Sequence, residues 1–134
     1  MDESAIAIFL KNSKDKSFDL VKHLKRQEEW SIKTFGPPNN NTAGIIDHIK
    51  KELVEVEKAP EDVFEWIDIV ILSFDGALRN GWKPEDIATA LNTKHEINES
   101  RTWPDWRTAE KGKAICHIKE MDPMQLKREL EGGW

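Results

Sequence analysis

The sequence holds a single cysteine, Cys116, which excludes an internal disulfide and fits a reducing compartment. It opens on Met-Asp-Glu-Ser rather than on a basic region followed by an apolar run, so we expect no signal peptide. No apolar stretch is long enough to cross a bilayer, so no membrane partner is expected. These absences predict a cytoplasmic protein.

Strand-like alternation of apolar and polar residues is absent throughout, as are internal repeats and a low-complexity tail. The predicted fold is therefore all-α, a helical bundle. At 134 residues the chain can bury a core, and we expect one domain over residues 1–134. The net charge of −5 argues against a nucleic-acid polymer as partner. An anionic small molecule remains compatible if a metal ion supplies local positive charge.

Several common catalytic motifs are also missing. No glycine-rich phosphate loop is present. His23, His95 and His117 show no zinc spacing with each other or with Cys116. His48 follows Asp47, the reverse of the His-Asp dipeptide of metal-dependent phosphohydrolases, and a surface position is expected for it. No serine, cysteine or histidine stands in an activated nucleophile arrangement, so a covalent intermediate is not expected.

Two acidic pairs in the middle of the chain carry the strongest functional signal. Glu52 with Glu55, and Glu65 with Asp68, have i, i+3 spacing, which places each pair on one face of a helix. Ala59-Pro60 lies between them, and proline ends one helix while suiting the first turn of the next. The pattern predicts an antiparallel helical hairpin that brings the four carboxylates together.

A cluster of four carboxylates repels itself unless a cation lies among them, and hard oxygen ligands suit Mg²⁺ or Mn²⁺. The alternative interpretation is two solvated, acidic helix faces. The position of the second pair favours the metal site, because the second hairpin helix is apolar around most of its circumference. Its predicted buried residues are Val63, Phe64, Trp66, Ile67, Val70, Ile71, Phe74 and Leu78. A small monomeric bundle needs fewer apolar residues on one helix, so we expect a dimer or tetramer.

The other expected elements follow from apolar periodicity, capping residues and breakers. Residues 35–41, Phe-Gly-Pro-Pro-Asn-Asn-Asn, are predicted to form a loop. Ser17 and Thr42 are expected to cap the helices that precede and follow this loop. The predicted helices are 4–10, 17–33, 42 to the turn at Ala59-Pro60, 61–78 and 84–99, with short terminal helices at 114–119 and 123–130.

The run of motifs resembles the MazG-like superfamily of all-α nucleoside triphosphate pyrophosphohydrolases, and within it the dATP/dGTP diphosphohydrolase branch, which is frequent in phages and prophages. The resemblance extends from about Gln27 to Thr108. Beyond the acidic pairs it rests on Trp30, Phe35-Gly-Pro, Gly44-Ile-Ile-Asp-His-Ile-Lys-Lys-Glu, Glu65-Trp-Ile-Asp-Ile-Val-Ile-Leu, Asp75-Gly-Ala, Gly81-Trp and Asn98-Glu-Ser-Arg-Thr-Trp-Pro.

The resemblance implies hydrolysis of a purine nucleoside triphosphate, dGTP or dATP, to the monophosphate and pyrophosphate in the host cytoplasm. It implies two or more Mg²⁺ ions, for which Mn²⁺ can substitute, held by Glu52, Glu55, Glu65 and Asp68, with Glu55 as the expected catalytic base. It implies homodimers or dimers of dimers. The expected substrate contacts are Lys94 and Asn98 to phosphate or sugar, Arg101 to phosphate, and Trp30 or Trp103 to the base.

Two alternatives from other classes stay open at this point. One is a non-catalytic helical oligomerisation module in which the acids are merely solvated. The other is the same chemistry on a different nucleotide, such as dUTP, an oxidised nucleotide or a guanosine alarmone. For the tryptophans near loops, closure of the core is an alternative to stacking on a base.

Overall fold

The computed structural model describes residues 2–39 and 41–119, together with residues 124, 127, 128 and 131. Over the two continuous ranges the chain forms five α-helices and one short 3₁₀ helix, with no strand, as predicted. The helices are α1 (Glu3–Ser13), α2 (Leu20–Phe35), α3 (Thr42–Lys58), α4 (Val63–Arg79) and α5 (Pro84–Ser100), and the 3₁₀ helix is Trp106–Thr108.

Hydrogen bonds to capping side chains explain where α2 and α4 begin. The Asp19 side chain accepts a hydrogen bond from the backbone N–H of Lys22, so Asp19 caps α2 in place of the predicted Ser17. Ser17 instead bonds to the Asp15 carboxylate. The Asp62 side chain caps α4. The predicted cap of α3 is also shifted by one residue, since α3 begins at Thr42 and Asn41 is its cap residue.

The chain divides into two compact units, Met1–Leu91 and Asn92–Trp134. In the first unit, α3 and α4 form the predicted hairpin, joined by a short turn, and α2 packs on α4. The core of this unit is small: Leu24, Leu78 and Ile87 are buried together, and Leu20, Phe74 and Ala77 pack around them. The core therefore ties α2, the C-terminal half of α4 and the start of α5 together.

The predicted burial of one apolar face of α4 is wrong for the single chain. Val63, Trp66, Ile67 and Val70 were expected to be buried, yet they are 41–51% exposed. Helix α4 packs mainly against α3 and α2. It also meets α1 where Phe64 contacts Phe9 edge-on, and α5 where Leu78 packs with Ile87. At the hairpin turn the Trp66 indole N–H donates to the Pro60 carbonyl at 2.9 Å, but the residue is still 51% exposed. The apolar character of this face is thus unexplained by the protomer's own core.

The second unit is largely irregular beyond the end of α5. The predicted helix at 114–119 is wrong, because this segment is not helical and the Ile118 N–H donates to the Thr102 carbonyl at 2.7 Å. The predicted helix at 123–130 falls mainly on residues outside the described part of the chain. Among the described helices, none has both the length and the apolarity that a bilayer-spanning helix needs.

Candidate functional site

A cleft of about 360 Å³ lies in the first unit, between α2, the loop after it, and the α3–α4 hairpin. Its acidic end is formed by Glu52 and Asp68, and its other end by Asp75 and Arg79. The remaining lining residues are Gln27, Trp30, Ser31, Phe35, Asn39, Asn41, Gly44, Ile45, His48, Ile71 and Leu72.

The acidic end gathers three of the four predicted carboxylates. Oxygen atoms of Glu52, Glu65 and Asp68 all lie within 4.8 Å of one another. We call these three residues the acidic cluster. They come together because α3 and α4 turn back on each other at Ala59-Pro60, so that one turn of each helix faces the other. All three offer the hard oxygen ligands that Mg²⁺ and Mn²⁺ prefer.

Two members of the acidic cluster, Glu65 and Asp68, have raised pKa values. Partial burial raises the pKa of Glu65, and the neighbouring carboxylates, Asp62 first, raise it further. Partial burial likewise raises the pKa of Asp68, with Glu52 adding to the shift and His48 opposing it. Carboxyl groups that hold protons more tightly in the fold are groups that would gain from a nearby cation. The residues present therefore fit a divalent metal ion.

Glu55, the fourth predicted ligand and the predicted base, lies outside this cluster. It is exposed on α3, and its carboxylate is 3.7 Å from the Lys58 ammonium. Its charge still reaches the cluster, since it contributes to raising the pKa of Glu65. The structure thus brings together three of the four predicted ligands and leaves Glu55 nearby with a lysine partner.

His48 is exposed, as predicted, but it also lines the cleft. Its Nε2 atom lies 3.3 Å from the Glu52 carboxylate, one helical turn away on α3. His48 and Glu52 are therefore neighbours in the wall of the cleft.

A polar network occupies the other end of the cleft. The Ser31 hydroxyl donates to Asp75 Oδ1 at 2.7 Å, and Arg79 Nε donates to Asp75 Oδ2 at 3.1 Å. Arg79 also donates to the Ser31 hydroxyl at 2.8 Å. The side chains of Arg79 and Asp75 are only 7% and 16% exposed, so this ion pair lies in a low-dielectric setting. We call Ser31, Asp75 and Arg79 the polar network.

Arg79 also holds the loop between α2 and α3. Its guanidinium donates to the backbone carbonyls of Gly36 and Pro37, each at 3.3 Å, and to that of Ser31 at 3.3 Å. Gly36 has a positive φ of 93°, a backbone conformation that favours glycine, and this turns the chain out of α2. One side chain from α4 therefore sets the path of the loop that forms one wall of the cleft.

Gln27 makes a second link between α2 and α4 in the wall of the cleft. Its side-chain amide donates to the Ile71 carbonyl at 2.8 Å, and its oxygen lies 2.9 Å from His23 Nε2. Gln27 is buried, so these bonds satisfy groups that water cannot reach.

Trp30, predicted to contact the base, lies on the aromatic wall of the cleft. Its ring meets Phe35 edge-on, with ring centroids 5.4 Å apart. Both rings are largely exposed to solvent in the chain by itself. Trp30 is therefore placed at the cleft and outside the core.

The other predicted substrate residues belong to the second unit. Lys94 and Asn98 lie on α5, and Arg101 and Trp103 follow it. Asn98 contacts two of the others. The Trp103 indole N–H donates to the Asn98 backbone carbonyl at 2.7 Å, and the Arg101 guanidinium donates to the Asn98 side-chain oxygen at 3.5 Å. Trp103 also meets His117 edge-on.

Sequence reasoning missed the polar network as a unit. Asp75 lies in a motif of the resemblance, Asp75-Gly-Ala, but the motif indicates no partner for it. The i, i+4 spacing of Asp75 and Arg79 on an apolar helix is a signal that could have found the ion pair. The contribution of Ser31, 44 residues away in the chain, leaves no comparable signal.

An all-α hairpin that joins carboxylates from two helices at the end of a cleft agrees with the class that the sequence resembles, the all-α nucleotide pyrophosphohydrolases. A match over residues 23–121 identifies the family within that class. The chain belongs to the dATP/dGTP pyrophosphohydrolase family.

Two curated phage proteins are similar to this chain. The Eaa protein of Salmonella phage P22 is 38% identical over 96 residues, which are 72% of this chain and 29% of that protein. The dATP/dGTP diphosphohydrolase of Salmonella phage PMBT28 is 40% identical over 75 residues, which are 55% of this chain and 24% of that protein. The chain thus spans less than a third of either relative. No solved structure matches it significantly.

Proposed function

We propose that this chain hydrolyses dGTP and dATP between the α and β phosphates, releasing the nucleoside monophosphate and pyrophosphate. The observation that carries the proposal is the acidic cluster of Glu52, Glu65 and Asp68 at one end of a cleft. Family membership and the name of the PMBT28 relative support the choice of reaction and substrate. The family match crosses both units, which supports residues 1–134 acting as one functional domain.

The acidic cluster would hold Mg²⁺, or Mn²⁺ in its place, and we propose two or more ions per site. Bound divalent cations supply charge neutralisation for the triphosphate, a water of lowered pKa and stabilisation of the leaving pyrophosphate. Glu55 is proposed as the fourth ligand, in exchange for its contact with Lys58.

The protein's own residues account for the remaining chemistry. The oxygen of a water molecule bonds to the α-phosphorus while the bond from that phosphorus to the α–β bridging oxygen breaks. Glu55, as a carboxylate that is not fully used as a ligand, accepts the proton of that water. Trp30 offers a flat face to the base. Lys94, Asn98, Arg101 and Trp103 are proposed as substrate contacts on the resemblance alone.

We expect pyrophosphate and the monophosphate to be the first products when the protein is incubated with Mg²⁺ and dGTP or dATP. Hydrolysis in water labelled with ¹⁸O should place the label in the monophosphate, because water attacks the α-phosphorus. Chromatography and mass spectrometry of the products measure both outcomes. Appearance of the diphosphate with orthophosphate, or full activity in excess chelator, would contradict the proposal.

We further propose that the protein forms a homodimer or a dimer of dimers, in which a second copy covers the exposed apolar face of α4. This face, Val63, Trp66, Ile67 and Val70, is a contiguous apolar surface on the hairpin that carries the acidic cluster. Apolar patches of this kind mark protein interfaces on otherwise polar surfaces. A location in the host cytoplasm belongs to the same proposal, since both relatives are phage proteins.

Replacing Ile67 by Glu on this face should lower the oligomeric state to a monomer, because a buried unpaired carboxylate is costly at an interface. Light scattering at micromolar concentration measures the mass of the wild type and the variant. Leu91→Glu, at an exposed apolar position on a different helix, α5, is the control and should leave the mass unchanged. A monomeric wild type would rule this proposal out.

A further inference from the structure

The polar network lies at the distance along the cleft where a bound nucleotide would place its base. Asp75 follows Asp68 by seven residues on α4, which puts both on one face of the helix and about 10 Å apart along its axis. Both side chains line the same cleft. If the triphosphate lies at the acidic cluster, as the proposed function requires, the sugar and base extend toward Asp75.

The Asp75 carboxylate is fixed in orientation but still has free acceptor capacity. Each of its oxygens accepts one hydrogen bond from the polar network, Oδ1 from Ser31 and Oδ2 from Arg79. An ionised carboxylate offers about four acceptor sites, so each oxygen has about one remaining. The guanidinium of Arg79 also offsets the charge of Asp75, which reduces its repulsion of a polyphosphate.

Guanine and adenine differ in the hydrogen-bond pattern that they present to such a carboxylate. On its Watson–Crick edge guanine carries two adjacent donors, the N1–H and the 2-amino group, which match two free carboxylate oxygens. Adenine presents one amino donor beside a ring nitrogen that is itself an acceptor, and this nitrogen faces the second oxygen unfavourably. A bidentate pair of this kind distinguishes one base from another far better than a single bond does.

We propose that Asp75 reads the base, accepting two hydrogen bonds from guanine, and thereby makes dGTP the preferred substrate over dATP. Ser31 and Arg79 act as positioning residues, since they hold both carboxylate oxygens in place. This inference rests on the proposed function of the acidic cluster for the orientation of the nucleotide. It assigns the specificity of the site to the polar network.

The wild-type protein tests the proposal through the ligand. In the presence of Mg²⁺, binding of dGMP, dIMP and dAMP is measured by calorimetry, and hydrolysis of dGTP, dITP and dATP by pyrophosphate release. Inosine lacks only the 2-amino group of guanine. We expect dIMP to bind about tenfold more weakly than dGMP, with a matching fall in kcat/KM for dITP. Equal affinity for dGMP and dIMP would overturn the proposal.

Asp75→Asn tests the same contact from the protein side, because the amide keeps the shape of the carboxylate while replacing one acceptor by a donor. The dGMP to dAMP affinity ratio should fall about tenfold, whereas a merely structural defect would weaken both ligands in parallel. Asp47→Asn, an exposed acid paired with Lys51, is the matched control. A parallel loss would overturn the role of Asp75 and leave the proposed function intact.

The two proposals fail in different ways. Selective binding of dGMP without pyrophosphate release from any triphosphate would support base reading by Asp75 and contradict the proposed reaction. Pyrophosphate release with no dependence on the base would contradict base reading alone. If Asp75→Asn does not fold, the wild-type series with dGMP and dIMP still decides the question.

Discussion

Asp68→Asn and Glu52→Gln are each expected to lower kcat for dGTP hydrolysis by roughly a thousandfold or more. Metal ions supply several kcal/mol of charge stabilisation in such reactions, and each 1.36 kcal/mol is about a tenfold change in rate. Asn and Gln keep the size of the side chain but remove an anionic ligand from the acidic cluster. Pyrophosphate release at saturating Mg²⁺ measures the loss.

Glu57→Gln is the matched control, because it removes a carboxylate from an exposed position on the same helix as Glu52. Its kcat should stay close to that of the wild type. Wild-type rates in the Asp68 and Glu52 variants would show that the acidic cluster is not the catalytic centre.

In the absence of metal, removal of a carboxylate from the acidic cluster is expected to raise the stability of the fold. The pKa values of Glu65 and Asp68 are raised in the folded protein, so ionisation of these groups opposes folding. The stability that they contribute is fully present below about pH 4 and is lost as pH rises through their folded pKa values. In chelator, Glu65→Gln should therefore raise Tm at pH 7 and give little gain at pH 4. A lower Tm than the wild type at pH 7 would contradict this account.

Arg79→Leu is expected to lower the free energy of unfolding by about 2–3 kcal/mol, because it leaves the largely buried Asp75 carboxylate without its charged partner. The loop carbonyls of Gly36 and Pro37 lose their donors in the same variant. Denaturant unfolding followed by circular dichroism measures the change. Lys51→Leu, which breaks an exposed pair with Asp47, should change the same quantity by less than about 1 kcal/mol.

The double variant Asp75→Leu with Arg79→Leu separates charge burial from packing. Replacing both partners removes the uncompensated charge, so much of the stability lost in Arg79→Leu should return. If the double variant is as unstable as the sum of the single variants, the contribution of Arg79 lies in its bonds to the loop rather than in the ion pair.

Periodicity and breakers were sufficient to predict the α3–α4 hairpin, since both depend on residues close in the chain. Ala59-Pro60 ends α3, and the apolar pattern on each side sets the helix faces that meet. The same pattern could not tell that Trp66 and Val70 would be exposed in the chain by itself. Apolar periodicity reports that a face is suited to burial, whereas its exposure depends on partners that the local sequence does not encode.

The candidate site likewise has one part that local sequence spacing predicts and another part that depends on tertiary contacts. The acidic pairs were visible because i, i+3 spacing on two adjacent helices is a local property. The convergence of Glu52 with Glu65 and Asp68, but without Glu55, depends on the rotation of each helix about its axis, which sequence spacing leaves undetermined. Ser31 could not be paired with Asp75 because that contact is purely tertiary.

The two ends of the cleft also differ in when they can form during folding. Glu52 and Asp68 are sixteen residues apart and meet as soon as the α3–α4 hairpin closes, a local event with a small loop-closure entropy. The contacts from Ser31 to Asp75 and from Gln27 to Ile71 each span 44 residues, and they form only when α2 docks. Contacts of long sequence separation form more slowly. The acidic cluster can therefore form before the polar network as the chain folds.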